Sequence, residues 1–579
     1  MMQAWPGQAI EVCPNSQPRP LPRRARFRPA HSNRSDIMKR TALFRYAIRL
    51  AATLTSLVVF FGVASRALAA DPPPPTLADV AATAGEVKLA INVMWMLVAG
   101  FLVFFMQAGF ALVETGFTRS KNVAHTMMMN MMVFCIGAVG YWMTGFAFQF
   151  GAVNLPYPEV STIGAIAGEW AHSPVTLGDW TGLLASGFRI GQFGLLGTNG
   201  FLLTGVGLNT GVLAFFLFQM VFMDTAATIP TGSMAERLKF SGFCLMGLWV
   251  SMFIYPLVAG WIWGGGWLQN LGRIAGLGNG AVDFAGSGPV HMIGGAIALA
   301  GALVIGPRIG RFNADGSANA MPGHNIPMGI LGTIILFFGW FGFNPGSSLG
   351  FTGTFGQLAA NAAVNTLIAG AVGGCVSMLY MWHISPVKKP DPSMSVNGVL
   401  AGLVAITAPC AFVDPIGALL IGSVAGVLVC LATTWLERAK IDDPVGAVPV
   451  HFVNGMWGVL AVGIFANGND ASKGWNGMEG AVRGLIAGNP SQLLAQALEA
   501  GAVVVVVFGL SYVFFKILNA LKLLRVAPAD ELTGLDMPEM GTPGYTTVDV
   551  RMTGGGRLSQ QAPRPRVANA PTKSPSTGA

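Results

Sequence analysis

The chain has 579 residues, of which 53% are hydrophobic and only 10% charged, and its mean hydropathy is +0.57. A soluble domain carries about 25% charged residues, so the composition excludes an ordinary soluble enzyme and points to a bundle of membrane spans. The net charge of +8 is no nucleic-acid signature, because Lys and Arg lie in the N-terminus, the short loops and the tail rather than on one basic face.

Residues 1–37 are rich in Pro and Arg, have no apolar period and read as an extension. From Met38 a basic stretch (Lys39, Arg40, Arg45, Arg49) precedes an apolar run from Leu50 to Val63 and the small-residue pattern Ala67-Leu68-Ala69. That is the pattern of a secretory signal peptide over 38–70. An uncleaved first span is the alternative, but the run is shorter than the ~20 residues a span needs.

Eleven apolar stretches follow, near 91–113, 124–150, 204–228, 239–262, 289–307, 325–346, 357–384, 395–412, 414–436, 449–467 and 495–518. They predict an all-α integral membrane domain over 88–518. The runs are continuous rather than alternating, which argues against membrane strands. Residues 519–545 follow as a tail segment, and 546–579, biased to Pro, Ser, Gly and Arg, read as disordered. Cys13 lies in the leader region, and Cys135, Cys244, Cys375, Cys410 and Cys430 lie in or beside apolar runs without a CxxC. Buried thiols fit better than a disulfide framework.

Basic residues mark alternate loops: Arg119 and Lys121, Arg237 and Lys239, Arg308 and Arg311, Lys388 and Lys389. The intervening loops are poorer, with Glu159, Glu169, Asp179 and only Arg189 between spans two and three. Lys and Arg mark the cytoplasmic side. The N-terminus is therefore expected outside and the C-terminus inside, as a cleaved leader and eleven spans also require.

Two segments match. DFAGSGPVHMIGG (Asp283 to Gly295) and DPVGAVPVHFVNG (Asp443 to Gly455) share six of thirteen positions. They open spans five and ten, which cross in opposite directions. This predicts an inverted repeat of spans 1–5 and 6–10, with span 11 outside it and a site near the midplane between the halves. The repeat places His291 and His451 at one depth. A polar ring in hydrocarbon is costly, so an intramembrane histidine is a functional candidate, with helix-linking hydrogen bonds as its structural alternative. Neutral imidazoles offer one donor and one acceptor each. They can line a pore, accept from a small amine or pass a proton. Asp283 and Asp443 precede their helices and read as N-caps. Asp224 sits within span three with no obvious neighbour. No third ligand joins the histidines as a metal site would need, and the run Met127, Met128, Met129, Met131 and Met132 reads as flexible packing rather than copper ligation.

With these features, the segments GFALVETGFTRSKN (109–122), FQMVF (218–222), MAERLKF (234–240), WGGGWL (263–268), DFAGSGPVH (283–291), GWFGFNPGS (339–347), DDPVGAVPVH (442–451) and TGLDMPEMG (533–541) resemble the ammonium transporter family (Amt/Mep, with Rh proteins as distant relatives). The resemblance covers roughly residues 88–545. It implies a homotrimer of eleven-helix subunits, each with its own pore for ammonium or ammonia, methylammonium serving as analogue, in a bacterial inner membrane and without a cofactor. By motif, Trp263, Phe222 and Ser347 resemble the family's outer recruitment site, and Phe222 and Phe343 its phenyl gate. His291 and His451 resemble its twin histidines, and Asp283 a structural, electrostatically supportive acid. The resemblance further implies that 519–545 is a cytoplasmic regulatory segment able to meet a PII-type signalling protein. The 152–203 loop is longer than the family's usual and can form an outer cap. Asp224 stands where a small apolar residue is expected.

Other functions are weaker fits. An ammonium sensor on the same scaffold would need an output domain or a dedicated partner. A water or glycerol channel would show paired NPA motifs, and here a single NPG stands at 344–346. No nucleophile–base spacing or phosphate loop suggests an enzyme.

Overall fold

The computed structural model describes residues 45–59, 75–151, 187–190, 193–204 and 210–545. The N-terminal extension, the pattern at Ala67, most of the 152–203 loop and the tail after 546 lie outside the described residues. The chain divides into two compact units, 1–76 and 77–579. In the first, residues 45–59 are helical.

The second unit is the bundle. Among its described residues, ten helices are long and apolar enough to cross a membrane. They are α1 (Leu77–Phe117), α2 (Ser120–Phe150), α3 (Thr210–Ser233), α4 (Phe240–Trp263), α5 (Ser287–Ile305), α6 (Ile326–Ser348), α7 (Thr354–Ile384), α9 (Pro415–Arg438), α10 (Val448–Phe465) and α11 (Pro490–Ala520). The eleventh predicted stretch is the shorter α8, Pro392–Thr407. The all-α, eleven-helix expectation therefore holds.

Of the boundaries that differ from the sequence reading, two have plain local reasons. α1 begins at Leu77 rather than near 91, because an Ala-rich stretch of high helix propensity extends it past the apolar run. α8 stops at Thr407 rather than near 412. Pro409 follows two residues on and cannot continue a helix. Asp414 then starts α9, its carboxylate accepting from Gly417 N–H at 2.7 Å.

Packing follows the predicted repeat. α3 lies against α1 and α5, and its repeat mate α8 lies against α6 and α10. α1 pairs with α6 across the two halves, and α11 lies over α5 and α10. Part of the 152–203 segment forms an antiparallel pair, β1 (Gly187–Ile190) and β2 (Phe193–Gly197). It docks beside the far end of α4, where Trp261 Nε1 donates to Leu195 O at 2.8 Å and Trp267 N–H to Gly194 O at 3.2 Å.

At the opposite end of α4, charges gather. Glu236 takes Arg119 and Arg308 (2.8 Å), and Asp442 takes Arg308 at 2.8 Å and Arg311 at 3.5 Å. Burial would raise the Asp442 carboxyl, but Arg308 and Arg237 outweigh it and hold the group at about 2. Burial lowers Arg237 to about 10 against the pull of Asp442. The segment after α11 is stitched onto this face. Asp536 accepts from His125 N–H at 3.0 Å, Glu539 from Phe240 N–H at 2.9 Å, and Glu531 from Ile309 N–H at 2.7 Å.

Candidate functional site

Both repeat segments turn into the bundle by one device. Asp283 accepts from Gly286 N–H at 2.5 Å and Gly288 N–H at 2.7 Å. Asp443 accepts from Gly446 N–H at 3.1 Å and Val448 N–H at 2.7 Å. These bonds satisfy N–H groups that a helix start leaves unpaired. Gly286 and Gly446 hold φ at 116° and 82°, in the left-handed region where a Cβ is strained. Each turn opens into a wide π-helical turn, Ser287–Met292 and Val448–Val453, that carries the histidine. Burial pushes the Asp283 and Asp443 carboxyls up, and the same backbone N–H groups oppose that rise.

The two spans then cross at glycines. A Cβ on Gly295 would lie 2.3 Å from Phe452 N, and one on Gly455 would lie 2.6 Å from Ser287 O and 2.9 Å from Met292 N. This close approach brings His291 and His451 together. Their ring centroids are 5.3 Å apart with planes 26° apart, and Nδ1 faces Nδ1 at 3.2 Å. A bond between two Nδ1 atoms requires one ring to donate and the other to accept. The pair therefore holds one proton between its rings and presents one Nε2–H and one bare Nε2 to its surroundings. His291 Nε2 is buried with no partner among the described residues.

A file of rings leads to the pair from the hairpin side. Phe222 stands edge-on to Trp263 at 6.2 Å and stacks on Phe343 at 4.1 Å. Phe343 stacks on His291 at 5.4 Å. Phe222 and Phe343 are 1% and 0% exposed, so both rings of the stacked pair are buried. Before them lies a cavity of about 60 Å³, lined in part by Phe222, Trp263, Ser347, Asp283 and Gln219. The Trp263 indole is fixed by its Nε1–H donating to Asp283 O at 2.8 Å. Ser347 Oγ donates to Phe343 O at 2.9 Å, which leaves its lone pairs as acceptors. Beyond the histidines, Phe110 lies 6.2 Å from His451, and a second cavity opens that both residues line.

The structure thus brings together every residue singled out from the sequence for the path. Asp224 stands apart, 2% exposed, with Oδ1 unpartnered among the described residues. Four contributors were missed. Trp340 stacks on His291 at 5.2 Å and is held by Thr407 Oγ1 at 3.0 Å. Its signal was its place one turn before Phe343 in GWFGFNPGS. Trp475 and Asn476, from the loop between α10 and α11, also line the cavity at Trp263. They are long-range, and no local pattern reveals them. Glu114 lines the second cavity. A carboxyl at the end of an apolar run was its signal.

Comparison with known proteins bears on this site. The Ammonium Transporter Family pattern matches residues 94–545. The chain is 41% identical over 462 residues to ammonium transporter Amt2 of Archaeoglobus fulgidus, covering 79% of this chain and 89% of that protein. Among solved structures it is similar to a sensor Amt protein, with TM-score 0.65 and 35% identity over 79% of this chain and 99% of that one. It is also similar to Candida albicans Mep2, with TM-score 0.61 and 25% identity over 76% of this chain and 87% of that one.

Proposed function

Because this chain belongs to the ammonium transporter family, a family of non-enzymatic membrane transport proteins, and its function is ammonium transport, we propose that it recruits ammonium at the Trp263 cavity, strips one proton and passes ammonia between His291 and His451. The observation that carries this reading is the unbroken file Trp263, Phe222, Phe343, His291, His451.

Each step follows from the groups present. The aromatic faces of Trp263 and Phe222 attract a desolvating cation, about 0.5–2 kcal/mol each. Ser347 Oγ, its own proton already donated, accepts from the ammonium N–H. Moving a bare cation past two stacked phenyl rings is prohibitive, so the proton leaves and neutral ammonia continues. Potassium, similar in size, has no proton to lose, and it stops there as long as the histidine rings fill the path behind Phe343. In the histidine pair, the bare Nε2 accepts from ammonia and the Nε2–H donates to its lone pair. The proton either follows through the pair or remains outside.

The charge-rich face that gathers Arg119, Arg308, Arg311 and the 519–545 segment supports a cytoplasmic C-terminus, with the Trp263 cavity outside. A leader over 38–70, a homotrimer, a bacterial inner membrane and a PII-type partner belong to the same reading and rest on the sequence and the family.

The test is ammonium-evoked current in reconstituted membranes with potassium as competitor. Wild type should exclude potassium, and His291→Ala should lose that exclusion. Unchanged selectivity would sink the role given to the pair. A second reading, an ammonium sensor, is favoured by the likeness to the sensor Amt protein. Folded wild-type protein that takes up no methylammonium into vesicles would support the sensor instead.

A further inference from the structure

Glu114 lies on α1, four residues past Phe110, or about 6 Å further along the helix and away from Trp263. It is 3% exposed. Together with Phe110, Ile229, Asn397, Val445 and His451 it lines the cavity beyond the histidine pair. No Lys, Arg or His forms an ion pair with it among the described residues. The titratable groups that face it are His451, across the cavity, and Asp443, from the turn before α10. α2 and α3 present the uncharged Asn130 and Thr231.

The hydrogen bonds of this carboxyl suit two protonation states. Asn130 Nδ2 donates to Oε2 at 2.8 Å. Thr231 Oγ1 lies 2.8 and 2.9 Å from the two carboxyl oxygens and 2.5 Å from Thr228 O. A hydroxyl has one proton to give. When Thr231 donates to Glu114, the carboxylate is satisfied. When it donates to Thr228 O, its oxygen faces Glu114 as an acceptor and is satisfied by a protonated carboxyl. No heavy atom moves between the two states. A buried acid with no cationic partner, able to hold or release a proton in place and facing the last ring of the path, has the chemistry to convert ammonia back to ammonium.

We propose that Glu114 is the exit-side proton donor of the pore, giving its proton to ammonia as it leaves His451 and then holding the ammonium formed until it departs. The carboxyl O–H bond breaks as the nitrogen lone pair forms the fourth N–H bond, leaving a carboxylate–ammonium pair. Release of ammonium to the aqueous phase on that face is followed by return of a water-borne proton to Glu114. This rests on the twin-histidine reading above.

Glu114→Gln tests it, because glutamine reproduces the protonated form: its Oε1 accepts from Asn130 and its Nε2 donates to Thr231. It has no proton to release. Full-length wild type and variant are reconstituted in vesicles, and methylammonium uptake is measured while the pH on the exit side is varied. Wild type should respond to exit-side pH. Glu114→Gln should be about tenfold slower or more, within the usual reach of acid–base catalysis, and should lose that response while keeping its concentration dependence at the entrance. A residue that only ties α1 to α2 and α3 would leave the pH response intact, and that result overturns the proposal alone. Wild type without uptake would overturn the pore reading and this one together. Should Glu114→Gln fail to assemble, ammonium-induced infrared difference spectra decide. A protonated-carboxyl band consumed by ammonium and shifted in Glu114→Asp supports the proposal; spectra without one overturn it.

Discussion

The segments 283–295 and 443–455 turn alike but are fastened differently. Before Asp283 stands Val282, and Gln496 of α11 bonds both its main-chain groups, accepting from its N–H at 2.8 Å and donating to its C=O at 2.9 Å. Before Asp443 stands Asp442, a charge that grips Arg308. The histidines differ too. His291 is fully enclosed, with Trp340 and Phe343 stacked on it. His451 is 5% exposed and borders the cavity with Glu114. The repeat thus supplies position, and the surroundings of each half make the two histidines' environments unlike.

The largest test of this comparison removes the crossing the halves share. Gly295→Leu forces a side chain into the backbone of Phe452, and we expect a loss of about 3 kcal/mol or more, seen as little folded protein on size exclusion. Gly501→Leu, where a Cβ meets nothing within 4 Å, should fold normally. Next come the unlike anchors. Asp442→Asn leaves the buried Arg308 short of a partner and should destabilise by about 3 kcal/mol, read as a drop in melting temperature. Its acid behaviour has a definite sign. The Asp442 carboxyl is held at about 2 against a usual 3.8, so its stabilisation is complete above the usual value and fades as pH falls through about 2. The variant should lack that acid limb. Gln496→Leu strands the Val282 N–H and C=O and should destabilise by about 2 kcal/mol, with no acid limb lost. The smallest effect separates the two caps. Asp443→Asn and Asp283→Asn should each cost about 1 kcal/mol. Only Asp283→Asn, which alters the lining of the Trp263 cavity, should also weaken apparent ammonium affinity in uptake assays.

Much of this was legible in the sequence, because membrane spans and helix turns obey local rules. The apolar runs located the helices, and the shared spacing from Asp to His pointed to the two turns and put both rings at one depth. What escaped notice depends on distant partners. Trp475 and Asn476 reach the cavity at Trp263 only through the fold of the loop after α10. Gln496 is a polar residue on α11, outside the repeat, and the internal match could not point to it. Asp224 was noticed within span three and is buried there, but the described residues supply no partner that explains it.

The single proton between the two Nδ1 atoms has a consequence in time. A relay through both rings would leave each in its opposite tautomer, so that a following proton meets a track facing the wrong way. A free imidazole resets by turning over. His291 is stacked against Trp340 and Phe343, and His451 lies beside Phe110 and bonds back to His291, so turning either ring over would break these contacts. Ammonia, which accepts at its lone pair and donates from its N–H bonds, can hand the protons back instead. A pore that conducts as proposed would advance like a ratchet, one click per ammonia, and between clicks it would be an open circuit to protons.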